Sequence, residues 1–282
     1  MKASVITHHF PHDNVEPAIE RLRGLAAEHD CELIFDRQND RAHETADVTA
    51  LTSEPLREAD PDVSLVIGGD GSILRSLRTF AGTDVPTFGF NFGTIGFLTT
   101  VEREELQEGI SLALTGNFEV LKLPALRIRY GDVDALAIND VSFHRSRDAR
   151  VAEVAYTLGD EQVGRVRCDG VVAATPAGST GYNLANNGPI LAWGVEGFVV
   201  SFIAPHTLTA RALVAAPDDV LRVANAGRLD ELEILVDGLM VGTLPVGETA
   251  ELTFVDNQAA LAQLPGNNFY HRFREKFGKL AS

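Results

Sequence analysis

Ten consecutive residues, Val63-Ser64-Leu65-Val66-Ile67-Gly68-Gly69-Asp70-Gly71-Ser72, join an apolar run to three glycines wrapped around one carboxylate. Glycines let backbone N–H groups approach a phosphate with no side chain in the way. A helix that follows such a turn favours negative charge at its N-terminus. A carboxylate beside a phosphate site is electrostatically costly unless it does chemistry, such as accepting a proton or holding a metal ion. The structural alternative is ordinary Asp-Gly turn chemistry. A second segment, Arg167-Cys168-Asp169-Gly170 through Thr175-Pro176-Ala177-Gly178-Ser179-Thr180-Gly181-Tyr182-Asn183, runs from an apolar strand into a helix start. Its glycine, serine and threonine offer amides and hydroxyls to an anion. Tyr182 offers an aromatic face to an adenine or nicotinamide ring, and Asp169 can accept from an exocyclic amine.

Two further places carry weaker signals. Asn139-Asp140 sets two polar residues inside an apolar strand, where they need partners. A ligand's ribose hydroxyls or phosphate could supply them, and so could a neighbouring loop. Asn91-Phe92-Gly93-Thr94-Ile95-Gly96-Phe97-Leu98 ends another strand with glycines. Such turns line the ligand crevice of parallel sheets, although a structural turn is the first reading. His206, in a Pro-bounded loop, reads as structural rather than catalytic. His8 and His9 lack the partner spacing of a metal site, and no metal ligand is assigned.

The elements that must position these residues divide in two. Strand patterns at 4–6, 31–35, 63–67 and 85–90 alternate with helical periodicity at 15–27, 72–81 and 101–114. This alternation predicts an α/β domain with a parallel sheet and helices on both faces. Residues 38–62 are polar and predict a loop with a short helix. After about residue 121 the texture changes to short strand-like segments at 124–130, 135–144, 151–158, 162–167, 170–174, 198–203, 219–223, 231–236 and 249–255. Gly and Asp turns separate them, which predicts a β-rich, sandwich-like second domain. The expected division is 1–121, with the tail 264–282 packing back on it, and 122–263.

Composition bounds the function. A 282-residue chain with 45% hydrophobic and 23% charged residues is globular and long enough for two domains. The absence of a membrane-length apolar run and of a signal peptide predicts a cytoplasmic protein. Cys31 and Cys168 lie far apart and read as small core residues in a reducing compartment. Lys plus Arg is 24 against 40 Asp plus Glu, a net charge of −16. Only Lys2, Lys122, Lys276 and Lys279 are lysines. An acidic, lysine-poor surface resembles those of salt-loving microbes, whose medium screens the self-repulsion. The charge argues against nucleic acid and anionic membranes as partners. An anionic ligand must then be met by specific arginines and backbone amides.

Taken in order and spacing, the Gly-Gly-Asp-Gly turn at 68–71, the Asn-x-Gly-x-x-Gly-Phe-Leu stretch at 91–98, Asn139-Asp140 and the Thr-Pro-x-Gly-Ser-Thr-x-Tyr stretch at 175–182 resemble the NAD kinase family. Pro205-His206-Thr207-Leu208 and Asp237-Gly238 fit as well. The resemblance spans about residues 63–240. It implies transfer of a phosphoryl group from ATP, or another donor such as polyphosphate, to the adenosine ribose 2′-hydroxyl of NAD, giving NADP. Asp70 would be the proton acceptor, with Gly71 and Arg75 at the phosphates. Asn139, Asp140, Asp169, Ala177, Thr180, Gly181, Tyr182, Asn183, Leu184 and Ala185 would form the dinucleotide pocket, with Arg167 and Ala204 at its edges. A divalent cation, Mg²⁺, would bridge the donor phosphates, and Arg75 would be the local counter-charge. A homo-oligomer, dimer or tetramer, is also implied. Ser72, Gly181, Ala185 and Leu239 depart from the family's commoner residues and bear on pocket contacts rather than on the reaction. A lipid or sugar kinase on the same glycine turn, or a non-catalytic dinucleotide sensor, are the competing readings.

Overall fold

The computed structural model describes residues 1–7, 15–36, 53–93 and 96–278. His8, His9, the 38–52 part of the predicted loop, Thr94-Ile95 and Lys279 lie outside the described residues. The chain forms two compact units, Met1–Lys122 with Ala259–Ser282, and Leu123–Gln258. It is an α/β domain followed by a β-rich one. Among the described residues no helix is long and apolar enough to cross a membrane.

In the first unit, β1 (Lys2–Thr7), β2 (Glu32–Phe35), β3 (Val63–Gly68) and β4 (Thr87–Asn91) run parallel in the order β4-β3-β1-β2. Strand residues alternate between faces. Val63, Leu65 and Ile67 join Ala18 and Leu22 of α1 (Glu16–Glu28) and Ile110 and Ala113 of α4 (Leu106–Leu114) in one apolar core. The opposite face takes α3 (Asp70–Thr79), where Ser76 Oγ bonds Ser64 Oγ at 2.8 Å and Thr87 Oγ1 at 2.9 Å. Gly89 sets the depth of that packing, because a Cβ there would overlap the Ile73 side chain. The short predicted helix is α2 (Glu54–Glu58).

Two helix boundaries move. The helix expected over 72–81 begins at Asp70. The helix expected over 101–114 opens instead with β5 (Val101–Glu102) and a 3₁₀ turn (Arg103–Glu105), where Glu102 and Glu105 form a capping box. The acidic start marks that box and not the first α-helical turn. The tail forms α6 (Phe269–Phe277), capped by Asn268 Oδ1 accepting from the His271 amide at 3.0 Å.

The second unit is antiparallel. β9 (Ala152–Leu158), β10 (Glu161–Cys168), β14 (Leu221–Asn225) and β17 (Thr249–Gln263) pair in the order β10-β9-β14-β17, with β6 (Glu119–Tyr130) beside β17 and β7 (Val133–Ala137) beside β6. The other sheet runs β13-β12-β11-β8-β15-β16, built from Leu213–Ala215, Phe198–Ile203, Gly170–Ala174, Asp140–Arg145, Leu232–Val236 and Leu239–Leu244. The expected single strand over 135–144 is two, β7 and β8, with the chain bending at Ile138-Asn139. β13 and β16 carry no clear sequence pattern, one being three residues long and the other interrupted by Gly242.

Candidate functional site

In the first unit the Asp70 carboxylate is held by backbone. β3 ends at Gly68, Gly69 is extended, and Asp70 opens α3, where the helix dipole favours its charge. Its Oδ2 accepts the Phe97 amide at 2.8 Å, and Oδ1 accepts those of Phe97 and Leu98 at 3.1 and 3.0 Å. Phe97 and Leu98, at the end of the glycine-rich 91–98 stretch, are therefore the mount of this carboxylate. The two glycine turns come close, a Cβ on Gly93 standing 3.2 Å from Gly69 Cα, and within the second turn a Cβ on Gly96 would overlap Thr99 Oγ1. Asn91 stiffens the stretch by accepting from the Gly93 amide at 3.1 Å and donating to Glu102 at 2.7 Å.

Burial raises the Asp70 carboxyl above the usual carboxylate range. The two amides and the positive charges of Arg272 and Lys276 on α6 pull it back without reversing the shift. A carboxylate so raised is a stronger proton acceptor than a solvated one. Arg75 is expected as the local counter-charge at the donor phosphates. Its guanidinium meets Asp36, 2% exposed at the end of β2, at 2.5 Å. Asp36 also accepts from Ser53 Oγ at 3.3 Å. The cations that act on Asp70 come from the tail helix, where no sequence pattern announced them. Gly71 is exposed in the first turn of α3.

In the second unit the bend at Ile138-Asn139 is pinned by Asp237. Its carboxylate accepts the amides of Ile138, Asn139 and Asp140 at 3.1, 2.7 and 3.0 Å. Asp237 sits in the left-handed region at φ 48° and is followed by Gly238 at φ 80°, a tight turn between β15 and β16. Thr175 closes the other side, its Oγ1 donating to Ile138 O at 2.6 Å and its amide to Asn139 O at 2.9 Å. Gly178 packs so close that a Cβ would overlap the Asn139 carbonyl. Among the described residues, Asn139 Oδ1 is buried with no hydrogen-bond partner. Asp140, 6% exposed, is pushed up to about 7 by burial and by the neighbouring Asp237.

The 175–185 segment is shaped differently from the predicted helix start. A 3₁₀ turn (Gly178–Thr180) leads into α5 (Tyr182–Ala185), only four residues long. So short a helix has little dipole to offer an anion, and what the segment supplies is shape. Thr180 Oγ1 donates back to Ala177 O at 3.1 Å, and Asn183 Nδ2 ties Ser179 O at 2.9 Å to Pro189 O at 3.0 Å. Ala177 and Asn183 are buried, Leu184 is half-buried, and Gly181 and Ala185 are exposed. The Tyr182 ring, 36% exposed, lies flat on His144 with centroids 5.6 Å apart. Burial raises the Tyr182 hydroxyl pKa, and the charges of Asp140 and Asp169 add to the rise. Asp169 pairs with Arg145 at 3.0 Å. Arg167 is exposed with its carbonyl on the His206 amide at 2.8 Å, and Ala204 is exposed at φ 42°.

Sequence reasoning missed His144, Arg272 and the role of Asp237. The Asp237-Gly238 dipeptide was a visible turn signal. A lone His in a strand and one Arg in a charged tail were no signal at all.

Two family models match the chain: the ATP-NAD kinase N-terminal domain over residues 12–118 and the ATP-NAD kinase C-terminal domain over residues 138–263. An NAD kinase of Gemmatimonas aurantiaca is 33% identical over 81% of this chain and 82% of its own length. One of Teredinibacter turnerae is 31% identical over 93% and 91%. The crystal structure of an NAD kinase from Archaeoglobus fulgidus in complex with ATP superimposes with a TM-score of 0.77 at 26% identity, covering 100% of this chain and 99% of that one. With both glycine-rich turns, the Asn-Asp bend and both matched domains present in one chain, this protein belongs to the NAD kinase family.

Proposed function

We propose that Asp70 is the group through which this NAD kinase makes NADP, by accepting the proton of the adenosine ribose 2′-hydroxyl. As the ribose oxygen bonds to the terminal phosphorus of the donor, the bond from that phosphorus to the leaving nucleotide breaks. The hydroxyl proton passes to the carboxylate. Such transfers depend on in-line positioning and charge compensation more than on covalent help. The observation that carries the reading is a half-buried carboxylate with a raised pKa, aimed by two backbone amides from a glycine turn packed close to its own. On the dinucleotide side, Asn139 and Asp140 meet hydroxyls or amines, Tyr182 offers its ring face, and Asp169 accepts a donor. Thr180, Gly181, Asn183, Leu184, Ala185 and Ala177 give the pocket wall its shape, with Arg167 and Ala204 at its edges. Gly71 and Arg75 stand on the donor side.

To the same proposal belong ATP as donor, a cytoplasmic location, an acidic surface suited to high salt and a homo-oligomeric state. A divalent cation is part of it too. Among the described residues no three His, Cys, Asp or Glu side chains cluster as a metal cage. A cation carried in on the phosphates, as Mg²⁺ is, keeps most of its ligands from water and phosphate.

The test is Asp70→Asn, assayed for NADP formation from NAD with ATP and Mg²⁺. General-base loss predicts a fall in kcat of roughly 10²- to 10⁴-fold with the fold retained. Turnover near wild type would reject Asp70 as the base. NAD binding without phosphoryl transfer from any donor, in the unaltered chain, would favour a sensor instead.

A further inference from the structure

We propose that Arg272 is a positioning residue for phosphoryl transfer, bracing from the tail helix the loop whose amides hold Asp70. The inference rests on the reading of Asp70 as base. Arg272 is 6% exposed. Its Nη1 donates to Phe97 O at 3.1 Å and its Nη2 to Gln263 Oε1 at 3.0 Å. The peptide unit that joins Phe97 to Leu98 is thereby held at both ends. Its oxygen accepts from Arg272, and its N–H donates to Asp70 Oδ1 at 3.0 Å. That plane cannot rotate without losing both bonds. A donor on the carbonyl also polarises the N–H beyond it, so guanidinium, peptide and carboxylate reinforce one another.

The helix is seated for this purpose. The Phe97 ring meets Phe269 at 5.9 Å and Phe277 at 6.2 Å, one from each end of α6. Gln263, 4% exposed at the end of β17, fixes the second arm of the guanidinium. The charges that face the pair are Lys276 and Glu275 of α6 and Glu102 of β5. Burying a guanidinium costs several kcal/mol unless it is bonded and compensated. A leucine or methionine would fill the space at lower cost, so packing alone does not account for an arginine there.

The experiment compares Arg272→Met and Arg272→Lys in the full chain. It reads kcat, the KM for NAD, and hydrogen exchange of the Phe97 and Leu98 amides. Arg272→Met should lower kcat by roughly 10- to 100-fold, the scale of a small misplacement of a reacting group. Its KM for NAD should stay near wild type, and both amides should exchange faster. Arg272→Lys, which keeps the charge but not the fork, should recover part of the rate. If Arg272→Met does not fold, Gln263→Leu loosens the guanidinium alone and should speed the same two amides while lowering kcat less. Wild-type kcat with wild-type exchange at 97 and 98 in either variant overturns the proposal, as does activity lost only in proportion to unfolded protein. Arg272→Met behaving as wild type while Asp70→Asn is dead overturns the brace and leaves the base standing. An active Asp70→Asn overturns the base and the brace's catalytic role together.

Discussion

Asp70 and Asp237 use one device for opposite ends. Each carboxylate accepts backbone amides from a bend in another part of its own unit. At Asp70 the bend is the mount and the carboxylate is the proposed working group, with Arg272 and Lys276 tempering its charge. At Asp237 the carboxylate is the mount and the bend carries the proposed working groups, Asn139 and Asp140. Among the described residues no cation tempers Asp140, and burial and Asp237 together push it up to about 7. A carboxylate–amide clamp is thus a neutral piece of architecture. What it does depends on which partner is left with unused polar capacity.

The strongest way to break this comparison is to cut the second clamp. Asp237→Ala strands three amides at once, and each unsatisfied buried group costs about 1–3 kcal/mol. A large loss in thermal stability and a rise of at least roughly tenfold in the KM for NAD are expected, with Asp237→Asn milder because one acceptor oxygen survives. Wild-type NAD affinity in Asp237→Ala would show that the bend needs no mount.

Two glycines sharpen the contrast. Alanine at Gly178 overlaps the Asn139 carbonyl, and alanine at Gly96 overlaps Thr99. Overpacking costs about 1–3 kcal/mol. Steady-state kinetics should show Gly178→Ala raising the KM for NAD and Gly96→Ala lowering kcat. The same kinetic signature from both would erase the distinction between the clamps.

Asp140 has a definite sign with pH. Its pKa of about 7 in the folded protein lies above the value of about 3.9 of an unfolded chain. The native state then binds the proton more tightly, and the contribution is fully present below the unfolded value. It is lost as pH rises through about 7. Thermal melts from pH 5 to 8 should show a decline that Asp140→Asn flattens. An unchanged slope in that variant would assign the decline elsewhere. Smallest of all, Tyr182→Leu removes the stack on His144, worth about 0.5–1.5 kcal/mol. A severalfold weaker NAD affinity by titration calorimetry is expected, and no change would remove the ring from the pocket.

Local chemistry made much of this protein legible in its residues. The α/β alternation, the change to short strands after about residue 121, and the glycines around Asp70 all follow from side-chain period and backbone freedom within a few residues. So did the segments that bear the candidate site. Boundaries failed where a tertiary bond overrode the local pattern. The apolar run over 135–144 reads as one strand, yet it breaks at Ile138-Asn139 because Asp237 takes those amides from 99 residues away. The 91–98 turn acquires its meaning only from Asp70, 27 residues earlier, and Arg272 acquires its own from Phe97, 175 residues earlier. Periodicity and turn preference are properties of neighbours in the chain, and a carboxylate choosing its amide donors is a property of neighbours in space. The chemistry available was written in the residue types, and the assignment of working group and support was decided by the fold.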